Sequence, residues 1–216
     1  MTRVKICGLT NAEDLETAVE AGADAVGIIC DVAVDTPREV SVERARELVA
    51  AAPPFVTTVL VTMPAGPERT IELAETIEPD VIQLHGDVRP GDLGYLRTNV
   101  DAQLLLAVEA DDATRAATYD DVVDGLLVDT PGEDGGGGTG ETHDWDRTRM
   151  VGADLESPLI LAGGLTPDNV ADAVRTVEPF GVDVASGVEA DGGRKDPDAV
   201  RSFVDRAKNV RRTAEP

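Results

Sequence analysis

Two side chains in this sequence have the type and position needed to move a proton. Cys7 closes the stretch Arg3-Val4-Lys5-Ile6-Cys7, which ends at Gly8. In an extended strand successive side chains point to opposite faces, so Lys5 and Cys7 share one face and Val4 and Ile6 the other. A thiol beside an ammonium group ionises more readily, and the thiolate is a competent base, so this spacing predicts a lowered Cys7 pKa. Asp129 ends the apolar run Gly125-Leu-Leu-Val-Asp129, where a carboxylate has no packing role. It either caps the following loop or takes part in acid–base chemistry. Two glycine turns, Gly163-Gly164 and Ser186-Gly187, would aim backbone N–H groups and a helix N-terminus at one point, which is how a phosphate is held without many cations. Arg194 and Lys195 follow as candidates to assist. Arg38, in the loop of residues 31–40, is either an ordinary surface arginine or a ligand contact. The only histidines, His85 and His143, are not spaced as a metal pair, so no metal is expected. Cys30 has no charged neighbour on its strand and is read as structural.

These residues need elements to position them. Thr10 with Glu13 reads as a capping box opening a helix over residues 11–21. Beyond it, apolar strands and amphipathic helices alternate: strand 24–30 and a helix capped by Ser41; strand 55–61 and helix 67–77; strand 80–84 and helix 90–97, weakened by Gly94. Strand 103–108 precedes helix 112–119, and strand 122–128 precedes the glycine-rich loop 130–144 and a helix from Trp145. A loop of that length inside a compact domain is usually functional or disordered, and this one could close over a site. Strand 159–162 leads to a helix started by Thr166-Pro167, and strand 180–185 to the loop 186–195 and a closing helix 196–210. Eight strand-then-helix units predict an α/β fold, a (β/α)8 TIM barrel forming one domain over residues 1–216, with a doubly wound sheet as the runner-up. In a barrel the functional side chains lie at strand C-terminal ends. Cys7, Cys30, His85, Asp129 and both glycine turns do.

The 42 acidic and 19 basic residues among 216 give a formal charge of −23. That balance argues against nucleic-acid or anionic-membrane partners, which require a basic surface. The acid is spread along the chain, only Lys5, Lys195 and Lys208 are lysines, and aromatic residues are 3%. This composition reads as adaptation to a salty cytoplasm, and such a chain is expected to unfold when salt no longer screens its self-repulsion. No secretory signal or membrane-length apolar run is visible, so a cytoplasmic location with both thiols free is expected.

The motifs together resemble the phosphoribosylanthranilate isomerase family of tryptophan biosynthesis. The matching stretches are Val4-Lys-Ile-Cys-Gly-Leu-Thr-Asn11, Gly22-Ala-Asp-Ala-Val-Gly27, Thr36-Pro-Arg38, Gln83-Leu-His-Gly86, Leu127-Val-Asp129, Gly137-Gly-Thr-Gly140, Asp144-Trp145, Ala162-Gly-Gly-Leu-Thr-Pro-Asp-Asn-Val170, Val182-Asp-Val-Ala-Ser-Gly-Val-Glu189 and Lys195-Asp196. The resemblance implies a cofactor-independent Amadori rearrangement of an aminoaldose to an aminoketose. It makes Cys7 the general base and Asp129 the general acid, with Asp129 raised in pKa and Cys7 lowered. It gives Arg38 the anthranilate carboxylate, Gly163, Gly164, Ser186 and Gly187 the phosphate, and Gln83, His85 and Asp183 polar positions in the pocket. The expected partner is the small-molecule substrate, and the expected assembly a monomer or homodimer. An epimerase would need metal-ligand histidines, and a phosphate-binding barrel without turnover would need neither Cys7 nor Asp129. The chain departs from the family where Ile28 to Asp35 lacks the usual aromatics, where Ala185 replaces a common serine, and at Glu141 and His143.

Overall fold

The computed structural model describes residues 1–110, 113–129 and 144–210. Its parallel strands β1 (Arg3–Ile6), β2 (Ala25–Ile29), β3 (Thr57–Thr62), β4 (Val81–Leu84), β5 (Gln103–Glu109), β6 (Gly125–Asp129), β7 (Leu159–Leu161) and β8 (Gly181–Val184) pair in sequence order. β8 then pairs with β1, so the sheet closes into a barrel and a doubly wound sheet is excluded. Helices α1 (Ala12–Glu20), α2 (Val42–Ala51), α3 (Pro67–Ile77), α4 (Pro90–Arg97), α5 (Ala113–Tyr119), α6 (Trp145–Ala153), α7 (Val170–Val177) and α8 (Pro197–Lys208) follow the strands.

Strand alternation sorts the side chains into two layers. Val4, Ile6, Val26, Ile28, Leu60, Ile82, Val182 and Val184 point outward and join the apolar faces of the helices in the main core. Burying each such side chain stabilises the fold by about 1.5–3 kcal/mol. A smaller cluster of Cys7, Val59, Val61 and Val81, with Ala25, Ile29 and Leu105 against it, fills the barrel interior. Lys5, Gln83 and Asp183 are buried at the same inward-facing register positions. At the opposite end of the barrel, carboxylates ahead of β2, β4 and β6 accept from the backbone of the preceding strand: Asp24 from Val4 N–H (2.8 Å), Asp80 from Thr58 N–H (2.7 Å) and Asp124 from Leu104 N–H (2.8 Å).

Several boundaries differ from expectation for local reasons. The cap of α1 is Asn11, not Thr10: its Oδ1 accepts from Asp14 N–H (2.9 Å) and its Nδ2 donates to the Asp14 carboxylate (2.8 Å). A carboxamide carries acceptor and donor together, so it closes the box with Asp14, while the Thr10 hydroxyl donates to the Gly193 carbonyl (3.0 Å). β3 begins at Thr57 because Phe55, after two prolines, has φ 71° and is fully exposed. β6 begins at Gly125, since Val122 and Val123 belong to the turn leaving α5. The loop after β8 folds into a 3₁₀ turn (Ser186–Val188) and an antiparallel ribbon, β9 (Glu189–Asp191) and β10 (Arg194–Lys195). The glycine run, Glu141, His143 and the expected helix start at Asp112 lie outside the described residues.

Candidate active site

The C-terminal end of β1 places Cys7 where Gly27 on β2 has no side chain. A Cβ at Gly27 would lie 2.7 Å from Cys7 Sγ and 3.1 Å from Lys5 Cε, so the glycine makes room for both groups. Lys5 and Asp183 face each other across the β1–β8 pairing and form a buried ion pair at 3.0 Å. Burial pulls the Lys5 ammonium down, but Asp183 and Cys7 outweigh it and the pKa is raised. For Cys7 the outcome is opposite to the sequence-based expectation. Burial pushes the thiol up further than Lys5 lowers it, and Asp183 adds to the rise. The strand alternation correctly put lysine beside cysteine but carried no measure of desolvation.

The loop leaving β2 is tied down at both ends. Asp31 accepts from Arg69 at 3.2 and 3.1 Å and its carbonyl from the Thr62 hydroxyl, while Val40 N–H donates back to Ile29. Its tip presents Arg38, whose Nε and Nη2 donate to the two carboxylate oxygens of Glu189 at 2.8 and 2.9 Å. Lys195 Nζ donates to the same Glu189 Oε1 (2.8 Å) and to the Ala185 carbonyl (3.0 Å). Burial pushes Glu189 up, yet Arg38 and Lys195 together hold its carboxyl below the usual range. Arg194 lies on the outside of the ribbon against Glu13. Neither Arg194 nor Lys195 borders the cavity described below, so the expectation that they assist an anion site is corrected: one is turned outward, the other is consumed by Glu189.

At the end of β4, Gln83 and His85 point to the same side and approach at 2.6 Å, Nε2 to Nε2. Burial first and Lys5 second lower the imidazole to about 4, so the ring is neutral near pH 7 and pairs as an acceptor. Gln83 Oε1 is buried and accepts no hydrogen bond among the described residues.

The ends of β7 and β8 supply backbone. Gly163 (φ 85°) and Gly164 (φ 60°) occupy the left-handed region that glycine enters without strain. Gly187 packs so close to the β7 loop that a Cβ would lie 1.9 Å from the Leu165 carbonyl oxygen. α7 starts at Val170 instead of Pro167, because residues 166–169 form their own turn: Asn169 Oδ1 accepts from Thr166 N–H and its Nδ2 donates to the Gly164 carbonyl, both at 2.8 Å.

A cavity of about 260 Å³ opens at this end of the barrel. Cys7, Arg38, Gln83, His85, Asp129, Gly163, Gly164, Asp183, Ser186 and Gly187 all border it, so the candidate acid–base, pocket and glycine-turn residues meet in one place, with Arg194 and Lys195 left outside. The rest of the wall is aliphatic, with Val32, Val34 and Met63 prominent. Val32 and Val34 come from the stretch that lacks aromatics. They and Met63 gave no sequence signal, because isolated apolar residues in loops read as ordinary surface. Cys30 is buried away from the cavity, with burial and then Asp31 raising its thiol to about 11, and both cysteines are free thiols. A thiol, a carboxylate and a neutral imidazole around an apolar chamber, between a guanidinium and a glycine cradle, can move protons on a small molecule carrying anionic groups.

The closed barrel with its polar side chains at the strand ends places the chain in the class of (β/α)8-barrel enzymes. Residues 4–206 match the family described as N-(5'-phosphoribosyl)anthranilate (PRA) isomerase. The N-(5'-phosphoribosyl)anthranilate isomerase of Haloferax volcanii is 61% identical over 211 residues, covering 98% of this chain and 95% of that protein. The isomerase of Halobacterium salinarum is 60% identical, covering 96% of each. Among solved structures, phosphoribosyl anthranilate isomerase from Thermotoga maritima superposes with a TM-score of 0.84 at 38% identity, covering 96% of this chain and 99% of that one. A thiamine phosphate pyrophosphorylase from Pyrococcus furiosus, at 18% identity and TM-score 0.69, shares the fold alone. The chain belongs to the phosphoribosylanthranilate isomerase family, an aldose–ketose isomerase family of tryptophan biosynthesis.

Proposed function

We propose that this chain converts N-(5'-phosphoribosyl)anthranilate into 1-(2-carboxyphenylamino)-1-deoxyribulose 5-phosphate, with Cys7 as general base and Asp129 as general acid and with no cofactor. The observation that carries this reading is the single cavity bordered by Cys7 from β1 and Asp129 from β6, with the glycine turns and Arg38 around them. A solved relative is in complex with reduced 1-(o-carboxyphenylamino)-1-deoxyribulose 5-phosphate, at 35% identity and TM-score 0.82.

In this mechanism protonated Asp129 gives its proton to the furanose ring oxygen. The C1–O bond breaks and the nitrogen lone pair forms the C1=N Schiff base. Cys7 then removes the C2 proton, the C–H pair becomes the C1=C2 bond, and the C=N pair returns to nitrogen as an enolamine. Tautomerisation yields the ketose. Because the free site favours the thiol, Cys7 has to shed a proton before it acts, and Lys5 is the charge that lowers the cost. Arg38 receives the anthranilate carboxylate, while the N–H groups around Gly163, Gly164, Ser186 and Gly187 receive the phosphate. Gln83, His85 and Asp183 line the sugar's position, and Val32, Val34 and Met63 offer the ring an apolar wall.

No helix among the described residues is long and apolar enough to cross a membrane. We place the enzyme in the cytoplasm, as a monomer or homodimer; the Thermotoga maritima relative is described as dimeric. The deciding experiment follows the loss of anthranilate fluorescence with freshly made substrate in strong salt, for wild type, Cys7→Ser and Asp129→Asn. Wild type turns over, and each variant loses about 10²–10⁴-fold in kcat while still binding the reduced product. A folded wild type that binds the reduced product but never consumes substrate would replace this reading with a phosphate-ligand-binding barrel.

A further inference from the structure

Arg38 is gripped at both ends of its side chain. Its stem lies over Gly8, where a Cβ would be 2.7 Å from Arg38 Cδ. Its head gives the Nε–Nη2 edge to Glu189 in a two-pronged pair that is mostly buried, with the side chains 16% and 6% exposed. Glu189 is absent from the cavity wall, whereas Arg38 is part of it. With one edge of the planar fork turned to Glu189, the Nη1–Nη2 end is what remains to meet a ligand. The ribbon that carries Glu189 is itself clamped to the Arg38 loop, since a Cβ at Gly193 would fall 2.5 Å from the Pro37 carbonyl oxygen. Lys195, fully buried, holds Glu189 from behind and reaches the Ala185 carbonyl beside the glycine cradle.

We propose that Glu189 is a positioning residue for carboxylate selectivity: by fixing the Arg38 guanidinium through its Nε–Nη2 edge, it commits the opposite end to grip the substrate's carboxylate end-on. The proposal rests on the isomerase reading and deepens it. The charges support it: one carboxylate between two cations leaves a single net positive charge at this side of the cavity, enough for one carboxylate. Glutamine at this position offers one acceptor oxygen to three donors, so at least one Arg38 bond is lost and the guanidinium is free to turn.

The test compares kcat/KM for the anthranilate-derived aminoaldose phosphate with that for its aniline-derived counterpart, which lacks the carboxylate. In Glu189→Gln the ratio of the two values falls at least tenfold, chiefly through KM of the carboxylate substrate. In an Arg38→Lys background, adding Glu189→Gln changes that KM less than threefold, because the residue acts through the arginine. Glu189→Asp, which keeps the charge but shortens the reach, gives an intermediate ratio and serves if the glutamine variant does not fold. A ratio that stays at the wild-type value in a folded variant, or effects that multiply in the double variant, overturn the proposal. If wild type consumes neither substrate, the isomerase reading fails separately, and the same ratio is measured as dissociation constants of the reduced product with and without its carboxylate.

Discussion

The two sides of the cavity are built from different materials. Around β1, β8 and the β2 loop, charged side chains are buried against one another: Lys5 on Asp183, and Arg38 and Lys195 on Glu189. Around the ends of β7 and β8 glycine main chain forms part of the wall, with Gly187 where a side chain would collide and Gly163 and Gly164 at positive φ. A protein of charge −23 has few cations to spend. Here every buried cation is paired with a carboxylate, Arg38 and Lys195 sharing one, and in the proposed function the phosphate is left to backbone dipoles. The charged side is therefore sensitive to removal of a single group, and the backbone side to addition of a single methyl.

The largest expected effect is on the charged side. Lys5→Met leaves Asp183 buried without its partner and lowers unfolding free energy by about 3–5 kcal/mol, measured by denaturant titration in constant strong salt. Asp183→Asn in the same background recovers part of that loss. Because Lys5 lowers the Cys7 pKa, its removal also moves the alkaline rise of kcat/KM to higher pH. Next comes the backbone side. Gly187→Ala forces the 3₁₀ turn off the Leu165 carbonyl and costs about 10²-fold in kcat/KM, the scale of an ångström of misplacement. Competitive inhibition by inorganic phosphate weakens with it, whereas inhibition by benzoate persists. If both inhibitors weaken equally, the two sides are not independent.

Arg38→Lys replaces a fork by a point charge and forfeits about one charge-assisted hydrogen bond, roughly 1.5–3 kcal/mol, read as a higher KM. In this variant benzoate inhibition weakens and phosphate inhibition persists, the mirror image of Gly187→Ala. The smallest effect concerns His85, whose pKa falls from an ordinary 6.5 to about 4 in the fold. The unfolded chain takes up that proton first, so the imidazole's contribution is complete above pH 6.5 and is lost as pH falls towards 4. By pH 5.5 about 1 kcal/mol of it is gone. The wild type minus His85→Gln difference in stability shows this slope, and a flat difference would remove the buried neutral ring from the account.

The barrel and the meeting of the site residues were legible in the sequence because both follow from periodicity. Eight strand–helix repeats imply closure, and a residue at a strand's C-terminal end implies the mouth. The Lys5–Cys7 neighbourhood followed from a period of two, but the raised thiol pKa depends on burial and then on the charge of Asp183, far away in sequence. Glu189 was visible as part of a motif and silent as to purpose, since its partner Arg38 lies on a separate loop 151 residues away. The cap at Asn11 was missed by one residue, a choice between two good capping side chains that Asp14 decides. The delayed start of α7 depended on Asn169 folding back on Gly164, which no helix pattern encodes.

Closure of the barrel through β1 and β8 also sets an order of events during synthesis. Cys7 and Lys5 leave the ribosome well before Asp183, and the Thr10 hydroxyl waits for a carbonyl 183 residues downstream. Contacts of such sequence separation are the slow ones to form, because the loop between them has to be closed first. Until then the edge of β1 that pairs with β8 is open, and a nascent chain carries a thiol that has not yet met its ammonium's counter-ion. β1 is thus written long before β8, the neighbour that completes its surroundings.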